Sequence, residues 1–205
     1  GTAVIGPAGD LLGIGSLQLE QGRDKGSAGH LNMVVPIDLL KPILDDLLKR
    51  AGDDPKKAAA RQATLTELGF LAFVRKDYAG AKKILEPFAV TASGVEPRAL
   101  RILLGACRET DDFATGLARS QAAAALQPRS PEWSADVAEF SILTGDRKKG
   151  EETLSSLAAS EDPERVLAAA DAYGRLKDFA ASARIAQDGV RRFPESEQML
   201  FRLGS

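Results

Sequence analysis

A mostly helical chain, in which an α-solenoid of antiparallel helix pairs follows a short antiparallel β segment and one helix, is the fold class these 205 residues predict. Three observations carry that prediction. From Asp53 onward the apolar residues recur at helical spacing. Within that stretch a short turn signature returns with a period near 34 residues. Upstream, eight of the 19 glycines fall within the first 29 residues, where apolar residues alternate or run in short blocks, as strands joined by tight turns require. The character changes near Gly52, which divides the chain into residues 1–52 and 53–205.

In the first part, Thr2 to Ile5 forms a strand and Gly6-Pro7-Ala8-Gly9-Asp10 supplies turn chemistry. Leu11 to Leu19 then completes a hairpin. A loop rich in Gly, Ser and charge, Gln21 to Gly29, leads to a third apolar run, Leu31 to Val35, which Pro36 ends. Asp38 caps a helix whose Leu40, Ile43, Leu44, Leu47 and Leu48 follow the i, i+3, i+4 rule, and Gly52 stops it.

In the second part four turns recur: Lys76-Asp77-Tyr78, Asp111-Asp112-Phe113, Gly145-Asp146-Arg147 and Lys177-Asp178-Phe179. Their third members lie 35, 34 and 32 residues apart. Three residues after each stands a small side chain, Ala81, Gly116, Gly150 or Ser182, which lets two helix backbones approach closely. Pro128 and Pro194, each 15 residues past its turn, close the second helix of two units. Leu68-Gly69 and Leu104-Gly105 occupy corresponding places in the first helices, and the pair returns as Leu203-Gly204.

Over residues 56–205 this pattern resembles the tetratricopeptide repeat, with about four units and the start of a fifth. Leu68, Gly69, Tyr78 and Ala81 match in the first unit, Phe113, Ala123 and Pro128 in the second, Phe179 and Pro194 in the fourth. The third departs, with Arg147 at the aromatic position and Trp133 near its start. Since a stack of repeats needs a polar cap at its end, and none follows Leu203-Gly204, the C-terminus reads as a cut.

The front segment resembles the end of the second β-barrel of trypsin-like serine proteases of the bacterial HtrA type. The resemblance runs through Gly1-Thr2-Ala3-Val4, Ala8-Gly9-Asp10-Leu11-Leu12-Gly13-Ile14, Leu31-Asn32-Met33, Val34-Val35-Pro36 and Ile37-Asp38-Leu39-Leu40, about a quarter of the chain. It implies a partial antiparallel β-barrel of three strands in which Gly1 directly follows the catalytic serine. The nucleophile, its base and the orienting aspartate then lie upstream, and no catalytic residue is assigned within this chain. By the same resemblance, Ser16, Leu17 and Gln18 offer backbone groups to a bound peptide, which adds as an extra strand. Asn32 and Met33 approach the pocket wall, Met33 standing where an aromatic is commoner. The alternative is that Ser16 to Leu19 is merely a barrel strand. The resemblance also implies a compartment outside a bacterial cytoplasm.

Several function classes are disfavoured by composition. A net charge of −2 gives no electrostatic reason to expect nucleic acid, and Lys and Arg are interspersed with Asp and Glu. The longest apolar blocks, such as Met33 to Leu40, are interrupted by Pro36 and Asp38 and are too short to span a bilayer. Cys107, the single cysteine, has no second thiol or nearby histidine with which to share a metal, and reads as a small buried apolar residue. His30, the single histidine, reads as a loop residue. Asp45-Asp46 and Asp53-Asp54 are adjacent carboxylates that point apart, and Gly13-Ile14-Gly15 lacks the third glycine of a phosphate cradle. Neither metal nor cofactor is expected.

A stack of helix pairs leaves a groove lined by the first helix of each unit. Counted from the matched motif, its inward positions are Thr66, Phe70, Phe73, Arg98, Arg101, Arg108, Glu139 and Asp171. Tetratricopeptide domains that grip a C-terminal carboxylate use Lys and Asn at two places that Thr66 and Phe70 occupy here, so the expected partner is an extended or helical protein segment. A packing or oligomerisation role for the groove is the alternative. Two functions follow for the whole: the C-terminal part of a trypsin-like endopeptidase whose repeats recruit protein substrates or partners, or a non-catalytic scaffold with a degenerate protease-like domain. In both, this fragment is inactive.

Overall fold

A computed structural model describes residues 3–5, 11–14, 35–36, 42–43, 45–46, 48–49 and 58–197. The described residues are mostly helical, with eight long α-helices among them. The chain divides into two compact units, Gly1–Phe88 and Ala89–Ser205.

In the first unit, β1 (Ala3–Ile5), β2 (Leu11–Ile14) and β3 (Val35–Pro36) pair antiparallel in that order. Ala3 stands opposite Ile14, the register shifts between Val4 and Ile5, and Ile14 stands opposite Val35. β1 and β2 lie within their predicted strands, whereas β3 overlaps the third only at Val35 and includes Pro36, which was expected to end it; no closed barrel is seen among the described residues. Pro42, Ile43, Asp45, Asp46, Leu48 and Lys49 are helical, inside the predicted helix. Then come α1 (Ala58–Val74) and α2 (Tyr78–Ala89). Leu68, Leu71, Ala81 and Leu85 on these helices are buried, and the two meet at Gly69, where a Cβ would collide with the Leu85 side chain. Phe73 meets Tyr78 edge-on at 5.4 Å across the turn.

The second unit opens with a hairpin that the sequence reading missed, β4 (Val90–Thr91) and β5 (Gly94–Val95), turned through Gly94 at φ 153°. Six helices follow: α3 (Pro97–Glu109), α4 (Phe113–Leu126), α5 (Pro131–Leu143), α6 (Arg147–Ala158), α7 (Pro163–Arg175) and α8 (Phe179–Arg192). Each packs on the next through most of the series, and α5 also packs on α7. The first helices α3, α5 and α7 all begin with proline, whose fixed φ and missing N–H suit the first helical position.

All four predicted turns have one geometry. Their first residues lie in the left-handed region: Lys76 at φ 62°, Asp111 at 52°, Gly145 at 101° and Lys177 at 62°. The amide of the next residue, an aspartate each time, donates back five residues: Asp77 to Ala72, Asp112 to Cys107, Asp146 to Ser141 and Asp178 to Tyr173, at 2.8–3.0 Å. That is the bonding of a Schellman helix end. The same aspartates then accept from the third backbone N–H beyond, those of Gly80, Thr115, Lys149 and Ala181, and so cap the next helix. Thus one residue pair ends a helix and starts another, which is why the same short turn recurs in the sequence.

The small residues three places later sit at helix crossings. A Cβ on Gly116 would strike the Phe140 ring, and one on Gly150 the Ala138 carbonyl and Ile142. Ser182 keeps its hydroxyl buried by donating to Ala170 O at 2.7 Å. Pro128 and Pro194 follow the caps Gln127 and Phe193, which share nearly the same dihedrals, φ −129° and −128° with ψ 67° and 64°, outside the α region that a following proline disfavours. Around these crossings Leu100, Leu103, Trp133, Phe140, Leu154 and Val166 are fully buried, as is Cys107. Arg192 closes the end of α6 by donating to Ala158 O at 2.9 Å and to Ser160 O.

Candidate functional site

Three first helices place their polar residues on one face. On α3, Arg101, Leu104 and Arg108 recur at i, i+3 and i+7, and on α7 so do Ala168, Asp171 and Arg175; α5 contributes Glu132, Ala135 and Asp136. Together they line a cleft of about 370 Å³. A second cleft, about 390 Å³, shares Glu132, Ala168 and Asp171 and adds Arg129, Ser130 and Glu164. The turns described above fix where α3, α5 and α7 end.

The floor is an ionic quartet. Asp136 and Glu139, one helical turn apart on α5, lie between Arg108 of α3 and Arg175 of α7. Glu139 is fully buried and Asp136 only 7% exposed. Arg108 grips Glu139 through two parallel bonds, Nε to Oε1 at 2.5 Å and Nη2 to Oε2 at 2.9 Å, and reaches Asp136 Oδ1 at 3.1 Å. From the other side Arg175 donates Nε to Glu139 Oε2 at 2.6 Å and Nη2 to Asp136 Oδ1 at 2.9 Å. Arg108 also stacks over Phe140, its Cζ 4.9 Å from the ring centre.

Burial outweighs both arginines at Asp136 and pushes its carboxyl up from 3.8 to about 6. Burial pulls Arg175 down, but the charges of Glu139, Asp136 and Asp171 and the hydrogen bond to Glu139 together hold that guanidinium above its ordinary value.

Of the predicted groove residues, the structure brings Arg101, Arg108 and Asp171 to this cleft. Glu139 lies beneath it, as the ligand of both arginines. Arg98 is exposed at the start of α3 and does not line the cleft. In the first unit, Thr66 is buried with its hydroxyl turned back to Gln62 O at 3.0 Å, Phe73 is engaged with Tyr78, and Phe70 is half-buried. Ser16, Leu17, Gln18, Asn32, Met33 and His30 lie outside the described residues. Asp136 and Arg175 are the members that the sequence reading missed. The i, i+3 acidic pair on a helix face was the available signal for the first; nothing in the sequence marked Arg175 as its partner.

Among the described residues no three of His, Cys, Asp and Glu gather as metal ligands, and no helix is long and apolar enough to cross a membrane. No protein-family model and no curated protein matches the chain.

Proposed function

We propose that residues 53–205 are a tetratricopeptide-like α-solenoid that binds a segment of another protein along the face made by α3, α5 and α7. The parent reading is a trypsin-like endopeptidase whose barrel ends in residues 1–52 and whose repeats recruit substrates or partners. The observation that carries the binding reading is the buried quartet at the floor of that face. Taking four charges out of water costs about as much as their pairing returns, and apolar side chains of similar volume would hold three helices together at least as well. A polar floor beneath an open cleft is therefore better explained by recognition than by stability. Four turns of one geometry, 32–35 residues apart, support the repeat assignment. For the front segment, support is thinner: three antiparallel strands in the expected order.

Panning a displayed random-peptide library against the full chain tests the binding reading. Enriched peptides are expected to lose affinity about ten-fold or more when Ala168→Leu fills the cleft, and to ignore Lys148→Glu on α6. Peptides indifferent to Ala168→Leu would overturn it. Separately, a fluorophosphonate probe is expected to leave the chain unlabelled, because no activated serine is assigned to it; labelling would contradict that assignment.

A further inference from the structure

The quartet leaves particular atoms unused, and these define what the cleft can recognise. Among the described residues, the hydrogen bonds of Arg108 and Arg175 employ Nε and Nη2 only, and Asp136 accepts through Oδ1 only. Each guanidinium therefore keeps its Nη1 donors, and Asp136 keeps Oδ2 as an acceptor. All three side chains line the same cleft, with 21%, 34% and 10% of Arg108, Arg175 and Asp136 exposed. Polar atoms that face a cleft are hydrated until a partner replaces the water, so an acceptor flanked by donors at the cleft floor sets the complementary groups such a partner must carry.

Charge decides which group. Arg101, Arg108 and Arg175 face Glu132, Asp136 and Asp171 across the lining, with Glu139 behind them. An entering carboxylate would meet Asp136 and Glu139, and an entering ammonium would meet two guanidinium groups. An uncharged group carrying an acceptor and a donor in one plane meets neither penalty and engages both kinds of unused atom. At about 370 Å³ the cleft holds on the order of ten waters, room for such a group on a chain.

Resting on the binding reading above, we propose that the cleft floor recognises a neutral amide, either a peptide unit or an Asn or Gln side chain. Its carbonyl accepts from Nη1 of Arg108 or Arg175 and its N–H donates to Asp136 Oδ2. An amide so placed gains hydrogen bonds to charged partners, the stronger class.

The test is a titration of the 15N-labelled full chain followed at the arginine Nε–H signals. The probes are N-methylacetamide, propionamide, acetate and methylammonium at constant ionic strength. One of the amides is expected to shift the Arg108 and Arg175 signals at lower concentration than either ion. A stronger N-methylacetamide response assigns a main-chain source, and a stronger propionamide response a side-chain source. Asp136→Asn, which puts an N–H₂ donor where the ligand's N–H needs an acceptor, is expected to weaken the response about ten-fold. Ala168→Leu is expected to abolish it while the two arginine signals stay in place, which keeps loss of binding apart from loss of fold. A larger response to acetate or methylammonium, none to either amide, or one undiminished in Ala168→Leu overturns the proposal. If panned peptides still depend on the cleft while neither amide binds, the amide inference falls and the scaffold reading stands; if they do not, the scaffold reading falls as well.

Discussion

The same pairing of α3 with α5 occurs twice, at two depths. Arg101 meets Glu132 and Arg108 meets Glu139, both 31 residues apart and both at 2.5 Å. Yet the first pair is 60% and 50% exposed, while the second is 21% and 1%. Two helical turns convert a rim contact, screened by water, into part of a largely buried network with a third helix attached. The difference teaches that the distance between charged groups says little about their worth here. Which groups lose water, and which partners remain when one is removed, decides it.

The comparison breaks most sharply at Glu139. Glu139→Ala leaves Arg108 and Arg175 facing each other with only Asp136 between them, and is expected to cost about 3–5 kcal/mol of unfolding free energy in urea titration. A loss below about 1 kcal/mol would mean the network is not buried as described.

The next effect belongs to pH. Asp136 is raised by burial against the opposing pull of Arg175 and Arg108, with Glu139 and Glu132 adding to the rise, and titrates near 6 in the folded chain. Between about 4 and 6 the folded state thus holds a proton that the unfolded state has released. Stability from this group is full below about pH 4 and is lost as pH rises through 6, by up to about 3 kcal/mol. Urea titrations across that range are expected to show this slope in the wild type and not in Asp136→Asn. Equal slopes would remove Asp136 as its source.

Between floor and rim stands a reference away from the cleft: Asp146→Ala removes the cap of α6 and is expected to cost about 1 kcal/mol. Glu132→Ala at the rim is expected to change stability by less than about 0.5 kcal/mol. If the rim variant cost as much as Glu139→Ala, the contrast in depth would have no energetic meaning.

Legibility in the sequence follows the same division between local and distant causes. The starts of α2, α4, α6 and α8 at Tyr78, Phe113, Arg147 and Phe179 were readable, because a left-handed residue followed by a capping aspartate is a local event. The starts of α3, α5 and α7 are equally local, in Glu96-Pro97, Ser130-Pro131 and Asp162-Pro163, but they do not share the recurring turn signature. The hairpin at 90–95 was missed because its strands are two residues each, too short for a periodic signal. Two members of the quartet, Arg108 and Glu139, were among the positions counted from the motif, since helical phase determines which residues share a face. That Arg108 and Arg175 close on one acidic pair depends on how three helices stack, over separations of 28–39 residues that no turn encodes. Glu139, read as a groove position, proved to be its foundation.

The central claim, that the face of α3, α5 and α7 is where this protein meets another, is tested most directly by the hydrogen-exchange footprint of a panned peptide on the full chain. The expected result is protection confined to those three helices and centred on residues 101–108, 132–139 and 168–175. Protection on α4, α6 and α8 instead, with the first helices unchanged, would contradict it.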